Sequence, residues 1–156
     1  MSAPNYPPAP QLPPNYALRP FGMTATEAAI FRAWQVEQQR VILALMFNVH
    51  VGSIPGDQDS DPPNVRRLRA ALYAKRIDAV AITPSESWVI EVKQKLSGAA
   101  LGQLLTYLPH FAARFPELPP PRPILIGALA DPDVLELCKT SPVTCQLPPF
   151  SPLAPR

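Results

Sequence analysis

Asp78, Glu91 and Lys93 are ionisable side chains set in stretches that are otherwise apolar. They lie in two apolar runs, "RIDAVAIT" and "SWVIEVK", joined by the turn-forming "PSE". Two such runs around a short turn read as a β-hairpin. Strand alternation sets Asp78 on a face with Val80 and Ile82, and Glu91 and Lys93 on a face with Val89. Ionised groups among core residues are costly unless they are paired or bind a metal. A hairpin lets Asp78 and Glu91 converge, and two converging oxygen donors suit Mg²⁺ or Mn²⁺. Lys93 then stands where an ammonium can orient a water or stabilise developing negative charge. Gln103 and Tyr107, four residues apart, share one face of a following helix and would border the pocket. There they would orient Lys93 or contact a phosphate.

The helices and strands around these residues can be read in outline. "GMTATEAAIFRAWQVEQQ" reads as a helix over about 25–38. Thr24 is its N-cap, Glu27 completes a capping box, and Ile30, Phe31 and Trp34 form the apolar stripe. "VILALMFNVHVG" reads as a strand, most securely over 47–51. "SIPGDQDSDPPN" reads as a loop, and 65–76 as a short helix. "SGAALGQLLTYLPHFAARF" carries Leu101, Leu104, Leu105, Leu108, Ala112 and Phe115 at helical spacing, with Pro109 expected to kink or restart the helix. "PRPILIGALA" reads as a buried strand. Asp131 and Pro132 open a short helix, and "VTCQL" reads as a last short strand. The order predicts an α/β domain with a mixed central sheet and no internal repeat.

Asp78, twelve intervening residues, Glu91-Val92-Lys93 and then Gln103-x-x-x-Tyr107 together resemble the PD-(D/E)XK nuclease superfamily. The match is to its QxxxY subgroup, which includes RecB-type nuclease domains and lambda-type exonucleases. The element order is similar to that family's restriction-endonuclease-like core, with 65–76 as an insertion. "TATEAAIFRAW" resembles the opening helix of the branch related to very-short-patch repair endonucleases. There a glutamate supports the site, which implies such a role for Glu27. Glu37 is a rival on the same helix, and the capping box is a competing explanation of Glu27. The resemblance spans residues 24–147 and departs from the family name at Ile77, where a proline would stand. It implies hydrolysis of DNA phosphodiester bonds with one or two Mg²⁺ (or Mn²⁺) ions. Asp78, Glu91 and the backbone carbonyl of Val92 would hold them, and Lys93 would position the attacking water. The bland alternative is a buried ion-pair network in a retired nuclease fold.

Other features bound the reading. The basic run Arg66, Arg67, Arg69, Lys75 and Arg76 contains no acid and precedes Asp78, so it reads either as a DNA-phosphate-contacting patch or as a solvated face. Asp57, Asp59 and Asp61 begin like a calcium loop, but Pro62 and Leu68 stand where glycine and glutamate are needed. His50 and His110 lack partners at zinc spacing. Trp34 and Trp88 read as core. Cys138 and Cys145 read as two reduced thiols, a disulfide being unsupported by the sequence.

The chain has 156 residues, enough for one core, a formal net charge of +2 and 23 prolines. Seven prolines fall in 1–20 and four in 148–156. These segments are expected to be extended, polyproline-like arms flanking a nuclease-like domain at 21–147. Arms of this kind suit protein partners or a homo-oligomer, clasping neighbouring subunits. Neither a signal peptide nor a membrane-length apolar run is present, which predicts no membrane association. The compact length and the arms resemble small open reading frames of tailed phages. The corresponding expectation is a DNA nuclease in phage genome processing, or a nuclease-fold structural protein of a phage particle. Its location would be cytoplasmic or within the particle.

Overall fold

Strands that are apolar on both faces need a layer on each side, and that requirement organises this fold. The computed structural model describes residues 11–12, 22–38, 40–56 and 59–150. In chain order the elements are β1 (Gln11–Leu12), α1 (Ala25–Glu37), β2 (Ala44–Val51), α2 (Pro63–Tyr73) and β3 (Lys75–Ile82). There follow β4 (Ser87–Leu96), α3 (Gly98–Arg114), β5 (Pro121–Ala130), α4 (Pro132–Thr140) and β6 (Thr144–Gln146). One sheet runs β1-β2-β3-β4-β5-β6. The pairs up to β3–β4 are antiparallel, whereas β4–β5 and β5–β6 are parallel. The predicted α/β class with a mixed sheet is what the chain forms.

α1 covers one face. Ile30, Phe31 and Trp34 pack with Leu45, Phe47, Ala79, Ala81, Trp88, Ile90 and Val92. α3 covers the other, where Leu101, Leu104, Tyr107 and Phe111 pack with Val49, Val51, Ile77, Val80, Val89 and Leu125. Trp34 and Trp88 are core residues that meet edge to face at 6.0 Å. The hairpin turn is closed by Thr83, whose hydroxyl accepts from the Glu86 amide at 3.0 Å and whose amide donates to the Glu86 carbonyl at 2.9 Å.

Several expectations need correction. α3 runs as one helix through Pro109 instead of restarting there. Pro109 and Leu105, four residues earlier, are both exposed, so water can serve the carbonyl that proline leaves unpaired. Ala112 also faces solvent. The cysteines are not reduced thiols: Cys138 of α4 and Cys145 of β6 form a disulfide, with Cα atoms 6.4 Å apart. The short connection after α4 folds the chain back so that the two residues meet, a proximity their spacing alone does not reveal. Of the expected C-terminal arm, Phe150 packs on the α1-side core. Of the expected N-terminal arm, Gln11–Leu12 pair with Leu45 and Met46. Residues 1–10, 13–20 and 151–156 lie outside the described residues. Among the described residues, no helix is long and apolar enough to cross a membrane.

Candidate active site

β3 and β4 pair only from Ile82–Ser87 down to Ala79–Ile90. The next position in that register would set Asp78 opposite Glu91, and there the ladder stops. Beyond it, β3 stays with β2 and β4 stays with β5, so the two strands open into a fork. The sequence-predicted carboxylates therefore flank the fork's apex, although thirteen positions separate them.

Val92 turns its main chain into this fork. Its amide donates to Asp78 Oδ2 at 2.8 Å. In an extended strand the amide and carbonyl of one residue point the same way, so the Val92 carbonyl also faces the opening. Lys93 Nζ lies 2.6 Å from Glu91 Oε1 and 3.9 Å from Asp78 Oδ2. Glu91 is only 1% exposed, and its second oxygen, Oε2, is buried with no hydrogen-bond partner.

The electrostatics follow from this crowding. Burial pushes the Asp78 carboxyl up to about 6, against the opposing pull of Lys93 and the Val92 amide. Burial, with the negative charge of Asp78, pushes Glu91 up to about 7. Burial pulls the Lys93 ammonium down, but Glu91 and Asp78 outweigh it and the net shift is upward. Two carboxylates with one ammonium leave the apex short of positive charge. That deficit and the orphaned Glu91 oxygen are what a divalent cation would satisfy. Among the described residues no third histidine, cysteine, aspartate or glutamate joins the pair in a metal-holding group. Two carboxylates and a main-chain carbonyl still fit Mg²⁺, which keeps several waters and needs only one or two carboxylates.

α3 brings its polar pair to the same place. Gln103 Nε2 donates to Tyr107 Oη at 2.6 Å. Burial raises the Tyr107 phenol, and the charges of Glu91, Asp78 and Lys93 all act on it. Glu27 forms the capping box: it accepts from the Thr24 amide at 2.9 Å, and its amide donates to Thr24 Oγ1 at 3.2 Å. Its charge nevertheless reaches Asp78, Glu91 and Lys93. Glu37, the rival, is at the other end of α1, lining a cleft with Trp34 and Gln146.

The basic run is not uniform. Arg69 is held by Asp61 at 2.6 Å and also donates to the Gly56 carbonyl. Arg66 lies 3.7 Å from Asp59, so the loop before α2 supplies the acids that the run itself lacks. Arg76 caps the Ala71 carbonyl at 2.9 Å. Arg67 is exposed, and Lys75 lies near His110 over Gly52. His50 is buried beside α2, and burial lowers its pKa, which suits a packing role.

Asn48, in β2 opposite Asp78, adopts a left-handed backbone at φ +53, which the sequence reading does not anticipate. The available signal was an asparagine inside an apolar strand, where that residue is depleted.

No family model, curated protein or solved structure gives a significant match to the chain. The functional reading therefore rests on the site.

Proposed function

We propose that this chain is a divalent-metal-dependent nuclease that hydrolyses DNA phosphodiester bonds. The observation that carries the reading is the apex of the fork: Asp78 and Glu91 converge beside Lys93, and Glu91 keeps a buried oxygen without a protein partner. Asp78, Glu91 and the Val92 carbonyl would hold Mg²⁺ or Mn²⁺. The bound ion supplies Lewis-acid stabilisation of charge on the phosphate. Lys93 donates hydrogen bonds toward the open side of the fork, where it orients a water for attack. Gln103 and Tyr107 restrain each other at the rim and present polar groups to a phosphate. Lys75 and Arg67 are the members of the basic run that remain to meet a DNA backbone. The PD-(D/E)XK pattern is consistent with the roles given to Asp78, Glu91, Val92, Lys93, Gln103 and Tyr107.

The test is cleavage of plasmid and linear DNA with Mg²⁺ or Mn²⁺. Wild-type protein should nick in a metal-dependent manner, and Lys93→Ala should lower the rate by about 100-fold or more, as loss of a charge-stabilising donor does elsewhere. Inert wild-type protein with several DNA forms and both metals would sink the reading.

A second reading has one observation in its favour. α2 exposes Leu68, Leu72 and Tyr73, each about 60% accessible, an unpartnered apolar surface of the sort used in protein contacts. In this reading the chain is a structural protein of a phage particle or similar assembly, with its proline-rich ends on neighbouring subunits. Co-assembly that is lost in Leu68→Glu, with no cleavage by any form, would favour it.

A further inference from the structure

β2 and β3 both break their alternation at the same level. In β2, Leu45 and Phe47 point into the α1-side core, but Val49 and Val51 point into the α3-side core. In β3, Ile77 points to the α3 side, while Ala79 and Ala81 point to the α1 side. Residues two apart on a regular strand share a face, so each strand switches faces once. The switch falls at Asn48 in β2 and at Asp78 in β3. Pairing continues on both sides of it, Phe47 with Ala79 and Val49 with Ile77, so neither strand gains a residue. This is a matched kink rather than a one-sided bulge.

The kink has an identifiable source and an identifiable effect. Its source is Asn48, whose positive φ an asparagine tolerates and a β-branched residue does not. Its side chain packs on Gly22, just ahead of α1: a Cβ added at Gly22 would meet Asn48 Oδ1 at 2.9 Å. Its effect is on Asp78. A residue at the switch point is committed to neither face, and the Asp78 carboxylate instead reaches across to the next strand, accepting the Val92 amide.

We propose that Asn48 is a positioning residue: its left-handed backbone fixes the paired kink and so aims the Asp78 carboxylate into the β3–β4 fork. This deepens the metal-site reading and rests on it for its consequence, though its geometry can be tested without metal. On a regular strand, Asp78 would lie flat against the α3-side core beside Val80, away from Val92. Asn48 touches neither ion nor substrate in this account.

The experiment measures hydrogen exchange at the Val92 amide by NMR, without metal, and Mn²⁺ affinity by calorimetry. The proteins are wild type, Asn48→Val, Asn48→Ala, Asn48→Gly and Asp78→Asn. In Asn48→Val, Val92 exchange should quicken by about tenfold to a hundredfold, the worth of a hydrogen bond to a charged group. The Ala79 and Ile90 amides of the intact ladder should stay protected. Mn²⁺ affinity should fall by about tenfold or more, as for other groups that orient a ligand. Asn48→Gly, which tolerates the same φ, should restore both. If Asn48→Val does not fold, Asn48→Ala carries the same comparison. Unchanged Val92 exchange in the folded variant, or loss of protection in Asn48→Gly, overturns the inference. If Val92 responds as expected while wild type binds no Mn²⁺, the kink's role stands and the metal reading falls.

Discussion

At the scale of single residues, the site is a pair of carboxylates held in a condition they resist. Asp78 and Glu91 both bind protons more tightly in the fold than in an unfolded chain, where they return to the ordinary carboxylate range. Raised carboxylate pKa values favour the fold at low pH, and that contribution disappears as pH climbs through the folded-state values. Metal-free protein should therefore lose stability between about pH 4 and about pH 7 on account of these groups. The Asp78→Asn/Glu91→Gln variant should gain in Tm over wild type as pH is raised from about 5 to about 8 in EDTA, and added Mn²⁺ should narrow the gap. Scanning calorimetry at several pH values checks this; a gap that does not vary with pH would contradict it. The residue types were legible beforehand because an acid and a lysine at alternate positions of an apolar strand are conspicuous. The conformation of Asn48 was not, because it depends on a partner strand and on Gly22, far away in sequence.

At the scale of elements, local signals were read well where the chain caps itself. Thr24 and Glu27 make the expected reciprocal bonds; Asp131 stands at the N-cap of α4 with Pro132 at its first turn, but its carboxylate pairs with Lys95 at 2.7 Å and makes no capping bond. Thr24→Ala should cost about 1 kcal/mol, or a few degrees in Tm for a domain of this size. The Glu27 carboxylate accepts from the Thr24 main-chain amide, which that substitution leaves in place, so Glu27→Gln, which keeps an acceptor there and removes the charge, is the variant whose Mn²⁺ affinity against wild type tests whether Glu27 serves the site or only the helix. Pro109 does not restart α3, because it lies on the exposed side of the helix, a placement that sequence alone does not reveal. Gly127 shows the converse, a constraint invisible in sequence. It pairs with Lys93, and a Cβ there would come within 2.7 Å of Leu96 and 3.1 Å of the Lys93 carbonyl. Gly127→Ala should destabilise by about 1–3 kcal/mol through overpacking, measured by urea denaturation, and should disturb Lys93 more than a substitution on the far face. A variant as stable as wild type would show that β4 and β5 can part without cost.

At the scale of the whole molecule, the mixed sheet was legible from the alternation of strands and helices, but its long-range partners were not. Parallel pairing of β4 with β5 depends on α3 crossing over between them, and no residue pattern announces which strands meet. α2 illustrates a different limit. Its exposed Leu68, Leu72 and Tyr73 contrast with fully buried Ala70, so its attachment is narrow. Leu72→Lys should change stability by less than about 0.5 kcal/mol, as surface substitutions do. A larger loss would mean that this face is covered in solution.

The disulfide has a consequence of another kind. β6 is only three residues long, yet it is what caps the apolar Ile124–Ile126 stretch of β5. The Cys138–Cys145 link ties that strip to α4. If the link is cut and β6 peels away, β5 becomes an open, hydrophobic sheet border, the kind that recruits strands from other molecules. Reduction should thus register less in the melting temperature than in colloidal behaviour. Light scattering at rising protein concentration, with and without reductant, should show self-association in the reduced protein alone.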